Sequence, residues 1–284
     1  MALSPLRFLA AGSEADRARA VLAGVPLDVT TSYRPGTRFA PAAIRQASQA
    51  LEEFSPRLQR CLAEVPFLDA GDLELPPGDV AAGLGLIATH ILQVTGQGRV
   101  PVTLGGEHLL TWPVVQVMAA RYPDLAVLQL DAHADLRAEY MGHELSHATV
   151  MYLVGRKIGW ANLYQVGIRS ATAEEWDLAR KHTRFFPGNA LTQSVVLAAE
   201  ELAGRPVYVS IDIDVADPAA APGTGTPEPG GPMAAELLEA VCHLHGLKVV
   251  GMDLVEVSPL AGPGDITALL AAKVLREALL SILA

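Results

Sequence analysis

The chain has 284 residues, 50% of them hydrophobic and 18% charged, with a formal net charge of −10. That length and apolar content suit one large α/β domain, residues 1–284, with no compositional break to mark a linker. The acidic balance, without clustered lysine or arginine, excludes nucleic acid as a partner, and no apolar run reaches the ~20 residues that cross a bilayer.

Apolar runs alternate with helical periodicity along the chain. A run at 21–25 precedes a helix predicted near 41–54, another near 80–94 and a strand at 100–104. A helix at 110–122, a strand at 126–130, a helix near 146–157 and a strand at 162–168 follow. Next come a helix at 173–182, a short strand at 183–186 and a helix near 192–203. Strands at 207–211 and 249–255 flank a helix at 233–245, and a helix at 266–283 closes the chain. Strands separated by helix-length segments have the rhythm of a parallel sheet. Helices on both faces make this a three-layer α/β sandwich around a central, mostly parallel sheet of about eight strands.

Three of these strands run into ligand-type residues. Gly105-Gly106-Glu107-His108 follows the strand at 100–104, Asp131-Ala-His133-Ala-Asp135 the one at 126–130, and Asp212-Ile-Asp214 the one at 207–211. Open α/β sheets keep their sites at strand ends, so these groups are expected to converge on one edge. Four carboxylates and two imidazoles form a hard, oxygen-rich set that suits manganese better than a thiolate-seeking metal. Carboxylates this crowded repel one another without a cation between them. Two divalent ions roughly 3.5 Å apart share and acidify a water, which yields a nucleophile at neutral pH without serine or cysteine. Ions held that close need bridging carboxylates, and Asp131 and Asp212, first in their motifs, are the candidates.

These motifs, with the third extended as Ser210-Ile-Asp212-Ile-Asp214-Val-Ala-Asp217-Pro218, resemble the metal motifs of the ureohydrolase family, the arginases and agmatinases. Residues 221–231 and 251–259 resemble the family's substrate-side segments, in the same order and at comparable spacing. The resemblance implies an arginase/deacetylase-like fold and two Mn2+ per subunit. His108, Asp131, Asp135 and Asp212 would hold one ion, and Asp131, His133, Asp212 and Asp214 the other. It further implies that Asp135 accepts a hydrogen bond from the hydroxide between the ions. Glu256 would pair with the substrate guanidinium through two parallel hydrogen bonds and so orient its carbon for attack.

The family places a proton-donating histidine after the second metal motif. His147, in Leu145-Ser146-His147-Ala148, is the first choice and His143 the competitor; an unperturbed imidazole value of ~6.5 suits a shuttle. Glu107 and Leu109 stand where relatives often have Asp and Ser, and Leu109 removes a hydroxyl able to orient a ligand. Asp253 reads as a structural carboxylate, and His90, His182, His243 and His245 as surface or packing residues. The glycine-rich stretch at 223–231 lacks the lysine and strand-to-helix frame of a phosphate loop and is expected to wall the site's mouth.

Arginases grip an α-carboxylate with an Asn- and Ser-rich loop after the second metal motif. Here residues 136–146 carry Glu139 and Glu144 instead, which resembles the agmatinase branch. The implied reaction is agmatine to putrescine and urea, a step of polyamine biosynthesis on a small cationic guanidino substrate that an acidic chain attracts. Aminopropylagmatine is the close alternative. Guanidinobutyrate, whose carboxylate Arg137 or Arg34 would receive, and an arginase-type activity are others; a catalytically silent, metal-stabilised assembly protein is the non-enzyme reading. The resemblance implies a homo-oligomer, trimer or hexamer. Cys61 and Cys242 form no disulfide framework or metal spacing, and the N-terminus lacks signal-peptide organisation, so a cytoplasmic setting is expected.

Overall fold

The computed structural model describes residues 6–12 and 15–283. Its strands are β1 (Ala20–Val25), β2 (Phe54–Ser55), β3 (Arg60–Cys61), β4 (Phe67–Asp72), β5 (Val100–Gly105), β6 (Ala126–Leu130), β7 (Leu163–Val166), β8 (Arg184–Phe186), β9 (Pro206–Asp212) and β10 (Lys248–Val255). β2 and β3 make a small antiparallel pair; the other eight form one sheet in the order β4-β1-β5-β10-β9-β6-β7-β8, with every pairing parallel.

Parallel neighbours cannot be joined by tight turns, so helices carry the crossovers. These are α1 (Ala40–Ser48), α2 (Val80–Gly96), α3 (Thr111–Arg121), α4 (Val150–Ile158), α5 (Ala173–His182), α6 (Leu191–Leu202), α7 (Ala234–Cys242) and α8 (Ile266–Ile282). α1, α8, α7 and α6 pack in a row on one face, and α2, α3 and α4 on the other. Alternation along a strand feeds both layers: Leu128 and Leu130 join the first core and Val127 the second, while Val207, Val209 and Ile211 oppose Tyr208 in the same way. Each wholly buried Leu or Ile contributes about 1.5–3 kcal/mol to this sandwich. No helix among the described residues is long and apolar enough to cross a membrane.

The predicted elements stand within a few residues, with three differences. β4 was not anticipated, because Asp69 and Asp72 interrupt its apolar pattern. Arg45 of α1 draws Asp69 inward and reaches the exposed Asp72 at the strand's end. Its Nε and one terminal nitrogen donate to the two Asp69 oxygens at 2.8 and 2.9 Å, and its other terminal nitrogen donates to Asp72. The helix expected to run to 54 ends at Ser48. The following chain crosses α8 instead, where Ser55 Oγ donates to Glu277 at 2.6 Å, and this explains how α8 is buried around most of its circumference. Finally, α3 and α4 are each entered through a 3-10 turn, His108–Leu110 and His147–Thr149, which sets two histidines at the sheet's edge.

Arg45 and Asp69 are 3% and 2% exposed, and Asp69 also accepts the Phe8 N–H at 2.7 Å. Arg45→Ala is therefore expected to lower stability by about 3–5 kcal/mol, since it strands a buried carboxylate. Chemical denaturation of Arg45→Ala beside the Arg45→Ala/Asp69→Ala double variant checks this: the double variant recovers part of the loss, whereas equal losses would dismiss the stranded charge as the cause.

Candidate metal centre

Consecutive strands β5 and β6 are separated in the sheet by β10 and β9, and at such a break in strand order the crevice at the carboxyl ends opens. His108 stands just beyond β5, Asp131 just beyond β6, Asp212 at the last position of β9 and Glu256 just beyond β10. Four adjacent parallel strands thus deliver all the charged groups to one edge.

His108 Nδ1 lies 3.1 Å from Asp135, 3.2 Å from Asp131 and 3.4 Å from Asp212, yet this wholly buried atom makes no hydrogen bond. The other side of the ring explains why. Nε2 is 2.8 Å from Ser210 Oγ, and Ser210 donates its proton to Asp253 at 2.7 Å. The imidazole must then carry a hydrogen on Nε2, so Nδ1 is the atom aimed at the three carboxylates; without metal they hold the imidazole well above its usual range, and its Nδ1 lone pair becomes free when a cation takes the proton's place. Lone pairs converging in a buried site need a cation between them. His133 Nδ1 similarly sits 2.9 Å from Asp214 and 3.8 Å from Asp131. His108, Asp131 and Asp212 form one group able to hold an ion, and Asp131, His133 and Asp214 form another, with Asp131 common to both. The donor set therefore fits two hard divalent cations.

Titration in the metal-free chain shows the same tension. Burial, then Asp214 and Asp135, push the Asp131 carboxyl up to about 7. Burial disfavours a charged His133, but Asp214 and Asp131 outweigh it and raise the imidazole to about 11. Protons occupy the cluster where cations would otherwise balance it.

The supports are polar residues set into apolar strands. Gln129 donates to Asp131 at 2.7 Å and is itself held by Gln165 at 2.8 Å. Asp253 accepts from Ser210, Thr111 and Tyr208, so it acts on the centre through the Ser210–His108 bond rather than as a remote structural carboxylate. Ser210 supplies the hydroxyl that Leu109 does not. Arg169 donates to the main-chain carbonyls of Asp214 (2.8 Å), Val215 (2.9 Å) and Glu228 (2.7 Å), tying the third motif to the glycine-rich loop. Of these supports only Asp253 is named from the sequence, as a structural carboxylate, although Gln129 and Ser210 share a signal: a buried polar residue two positions before a ligand.

Asp135 (φ 53°) and Glu256 (φ 63°) are non-glycine residues in left-handed backbone, a conformation costing about 1–3 kcal/mol each. Neighbours hold both. The Asp135 carbonyl accepts from Met151 and Tyr152 at the start of α4, and Glu256 donates its N–H to Gly106 while its carbonyl accepts from Thr224. Gly106 is required here, because a Cβ would stand 2.2 Å from the Leu27 carbonyl oxygen.

A cavity of about 300 Å³ opens over the centre. His108, His133, Asp135, Asp212, Asp214 and Glu256 line its floor, and His147, Arg137, Tyr140, Glu175 and Thr226 its walls. Glu256, 6% exposed, accepts the His108 N–H through Oε1 at 2.7 Å. Of the two candidate shuttles His147 lines the cavity; His143 is exposed and borders a separate hollow with Met141 and Leu145. Burial lowers His147, only partly offset by Asp135. Arg137 lies 3.6 Å from Glu175 and 4.8 Å over the Tyr140 ring, whereas Arg34 stacks on Tyr33 and does not line the cavity. Thr226 brings the glycine-rich loop to the mouth, as expected.

An all-parallel three-layer sandwich with paired carboxylate–imidazole groups at its strand ends defines the class: an α/β protein built to hold two hard cations above a small polar cavity. The model of the arginase family matches residues 18–281. The chain is 45% identical over 275 residues to the agmatinase of Bacillus subtilis (strain 168), covering 96% of this chain and 95% of that one. It is 33% identical over 282 residues to the guanidinobutyrase of Pseudomonas aeruginosa, covering 94% and 87%. The structure of the agmatine ureohydrolase of Thermoplasma volcanium superposes with a TM-score of 0.89 at 32% identity, covering 99% of this chain and 95% of that one. The chain belongs to the arginase family and is a hydrolase acting on guanidino C–N bonds.

Proposed function

We propose that the protein hydrolyses agmatine to putrescine and urea, with two Mn2+ per subunit. His108, Asp131, Asp135 and Asp212 hold one ion, and Asp131, His133, Asp212 and Asp214 the other. The observation that carries this reading is the bare His108 Nδ1 facing three carboxylates in the same cavity as a buried glutamate. When bound, the metal pair supplies an acidified water as nucleophile.

The chain's own residues do the rest. Each oxygen of Glu256 has two lone pairs, so Oε1 can keep the His108 N–H and still accept one guanidinium N–H while Oε2 accepts a second. That grip fixes the plane of the guanidinium over the centre. His147, neutral near pH 7 because burial lowers it, takes a proton on the cavity side and returns it to the leaving amine. The amine product then departs past Tyr140 and Arg137. On this reading residues 1–284 act as one catalytic unit in a cytoplasmic homo-oligomer, trimer or hexamer, serving polyamine biosynthesis.

Arg137 in the cavity wall supports a second reading, a guanidino acid such as guanidinobutyrate, whose carboxylate it would meet. Its pairing with Glu175 disfavours the acid, since the guanidinium that would receive a substrate carboxylate is already engaged by one. Urea release by the manganese-loaded protein, compared as kcat/KM over agmatine, aminopropylagmatine, guanidinobutyrate and arginine, tests this. Agmatine is expected to dominate. Preference for guanidinobutyrate would transfer the assignment to the acid, and no urea from any of the four with both metals bound would favour the silent assembly.

A further inference from the structure

Two groups outside the metal set form a connected line behind His147. Glu107, wholly buried beside the first metal ligand, reaches the loop that follows β1. Its Oε2 accepts the N–H groups of Val29 at 3.0 Å and Thr30 at 2.8 Å, with the Thr31 hydroxyl at 3.4 Å. Its Oε1 accepts the Thr30 hydroxyl at 3.0 Å. The same Thr30 oxygen accepts the His147 backbone N–H at 3.0 Å and lies 3.1 Å from His147 Nδ1.

We propose that Glu107 and Thr30 are positioning residues that fix the tautomer of His147, through a one-way relay in which Nδ1–H donates to Thr30 and Thr30 O–H donates to Glu107. The proposal rests on the shuttle role given to His147 above. The direction follows from valence. A threonine hydroxyl has one hydrogen and two lone pairs. Its hydrogen goes to the carboxylate and one lone pair takes the backbone N–H, so only a lone pair remains to meet Nδ1. That nitrogen must be the donor, which leaves Nε2 as the proton-exchanging atom. Ser146 Oγ, 3.3 Å from Nδ1, is a weaker second contact and already caps the following turn by accepting the Ala148 N–H. Nε2 points to the other side of the ring, where Ser32 Oγ is 3.5 Å away at the cavity wall.

The relay predicts an unusual result for Glu107→Gln. The amide oxygen must take the Oε2 position, because an NH2 group there would face two backbone N–H donors. The NH2 then occupies the Oε1 position and donates to Thr30, whose hydroxyl turns to donate to Nδ1. His147 is forced into the opposite tautomer with no atom moved. A misplaced imidazole proton is a loss of rate rather than of binding.

Neutron diffraction from deuterium-exchanged crystals of the manganese-loaded protein at about pH 8, above the ordinary histidine value of ~6.5, reads the relay directly. The expected result is deuterium on Nδ1 in the wild type and on Nε2 in Glu107→Gln. Turnover in Glu107→Gln is expected to fall roughly ten- to hundredfold in kcat with little change in KM and both metals retained. Because a buried substitution can fail to fold, Thr30→Val is the second variant. It loses kcat similarly, and Thr30→Ser, which restores the hydroxyl, recovers most of it. Deuterium on Nε2 or on Glu107 itself in the wild type, or an unchanged tautomer in Glu107→Gln, overturns the relay. Full turnover by His147→Asn would instead overturn the shuttle role, and the tautomer measurement separates the two failures.

Discussion

Asp131→Asn is expected to reduce bound metal from two ions per subunit to one or fewer and to lower kcat/KM by ~10²-fold or more, since even outer partners of a ligand are worth ten- to hundredfold. Asp131 is common to the two groups able to hold an ion among the described residues. Its two oxygens are also both committed within the fold, Oδ1 to the His133 N–H and Oδ2 to the Gln129 amide, each at 2.7 Å. An asparagine must therefore turn its NH2 group toward one of two donors, at about 1–3 kcal/mol for the spoiled contact. Elemental analysis of the dialysed variant decides the matter, and full occupancy would remove the bridging assignment.

The metal-free protein supplies an independent readout. The folded Asp131 carboxyl titrates at about 7, against an ordinary value of 3.8. Between those values the folded state holds a proton that the unfolded state has lost, so the Asp131 part of the stability falls as pH rises from about 4 to 7; above that range His133, raised to about 11, continues the fall. The asparagine variant lacks that part of the slope. Thermal unfolding of both proteins without metal, across that range, should show the wild-type curve falling more steeply. Parallel curves would show that Asp131 does not carry the repulsion.

Much of this centre is legible before folding, because the signals are local. His108, Asp131, His133, Asp135, Asp212 and Asp214 each follow an apolar run, and in a parallel sheet every strand end of one sense lies on one edge. That argument needs only the alternation of strands and helices. The supports fail to appear because they are long-range: Asp253 meets His108 only through Ser210, and Arg169 finds carbonyls some 45 to 60 positions away in the chain. β4 is a case of tertiary override, since its Asp69 reads as a turn residue until Arg45 arrives to pair with it. The choice of His147 over His143 likewise depends on the loop's path: Tyr140 and His143 close a tight turn that leaves His143 outside the cavity. Glu107 looked like a minor departure from a metal motif, and only the fold reveals that its extra methylene lets it hold Thr30.

Glu256→Gln should separate substrate grip from metal binding. Glu256 is in neither metal group, so two ions per subunit are expected to remain. The backbone around it is held by Gly106 and Thr224 whatever the side chain, and the new amide oxygen can still accept the His108 N–H at the Oε1 position. What changes is the second oxygen. An NH2 group at that position faces the N–H donors of a guanidinium, and the charge that strengthens both bonds is gone. Two charge-assisted hydrogen bonds at about 1.5–3 kcal/mol each correspond to a fall in kcat/KM of about 10²–10⁴-fold. How the fall divides between the two constants tells where Glu256 acts. A rise in KM alone means that it holds substrate and transition state equally, while a drop in kcat means that the grip tightens as the planar carbon becomes tetrahedral. Because the guanidinium must be turned face-on to the centre before attack, most of the loss is expected in kcat. Unchanged turnover with both metals in place would end the guanidinium-clamp role, and loss of a metal ion would move Glu256 from the substrate side of the cavity into the centre itself.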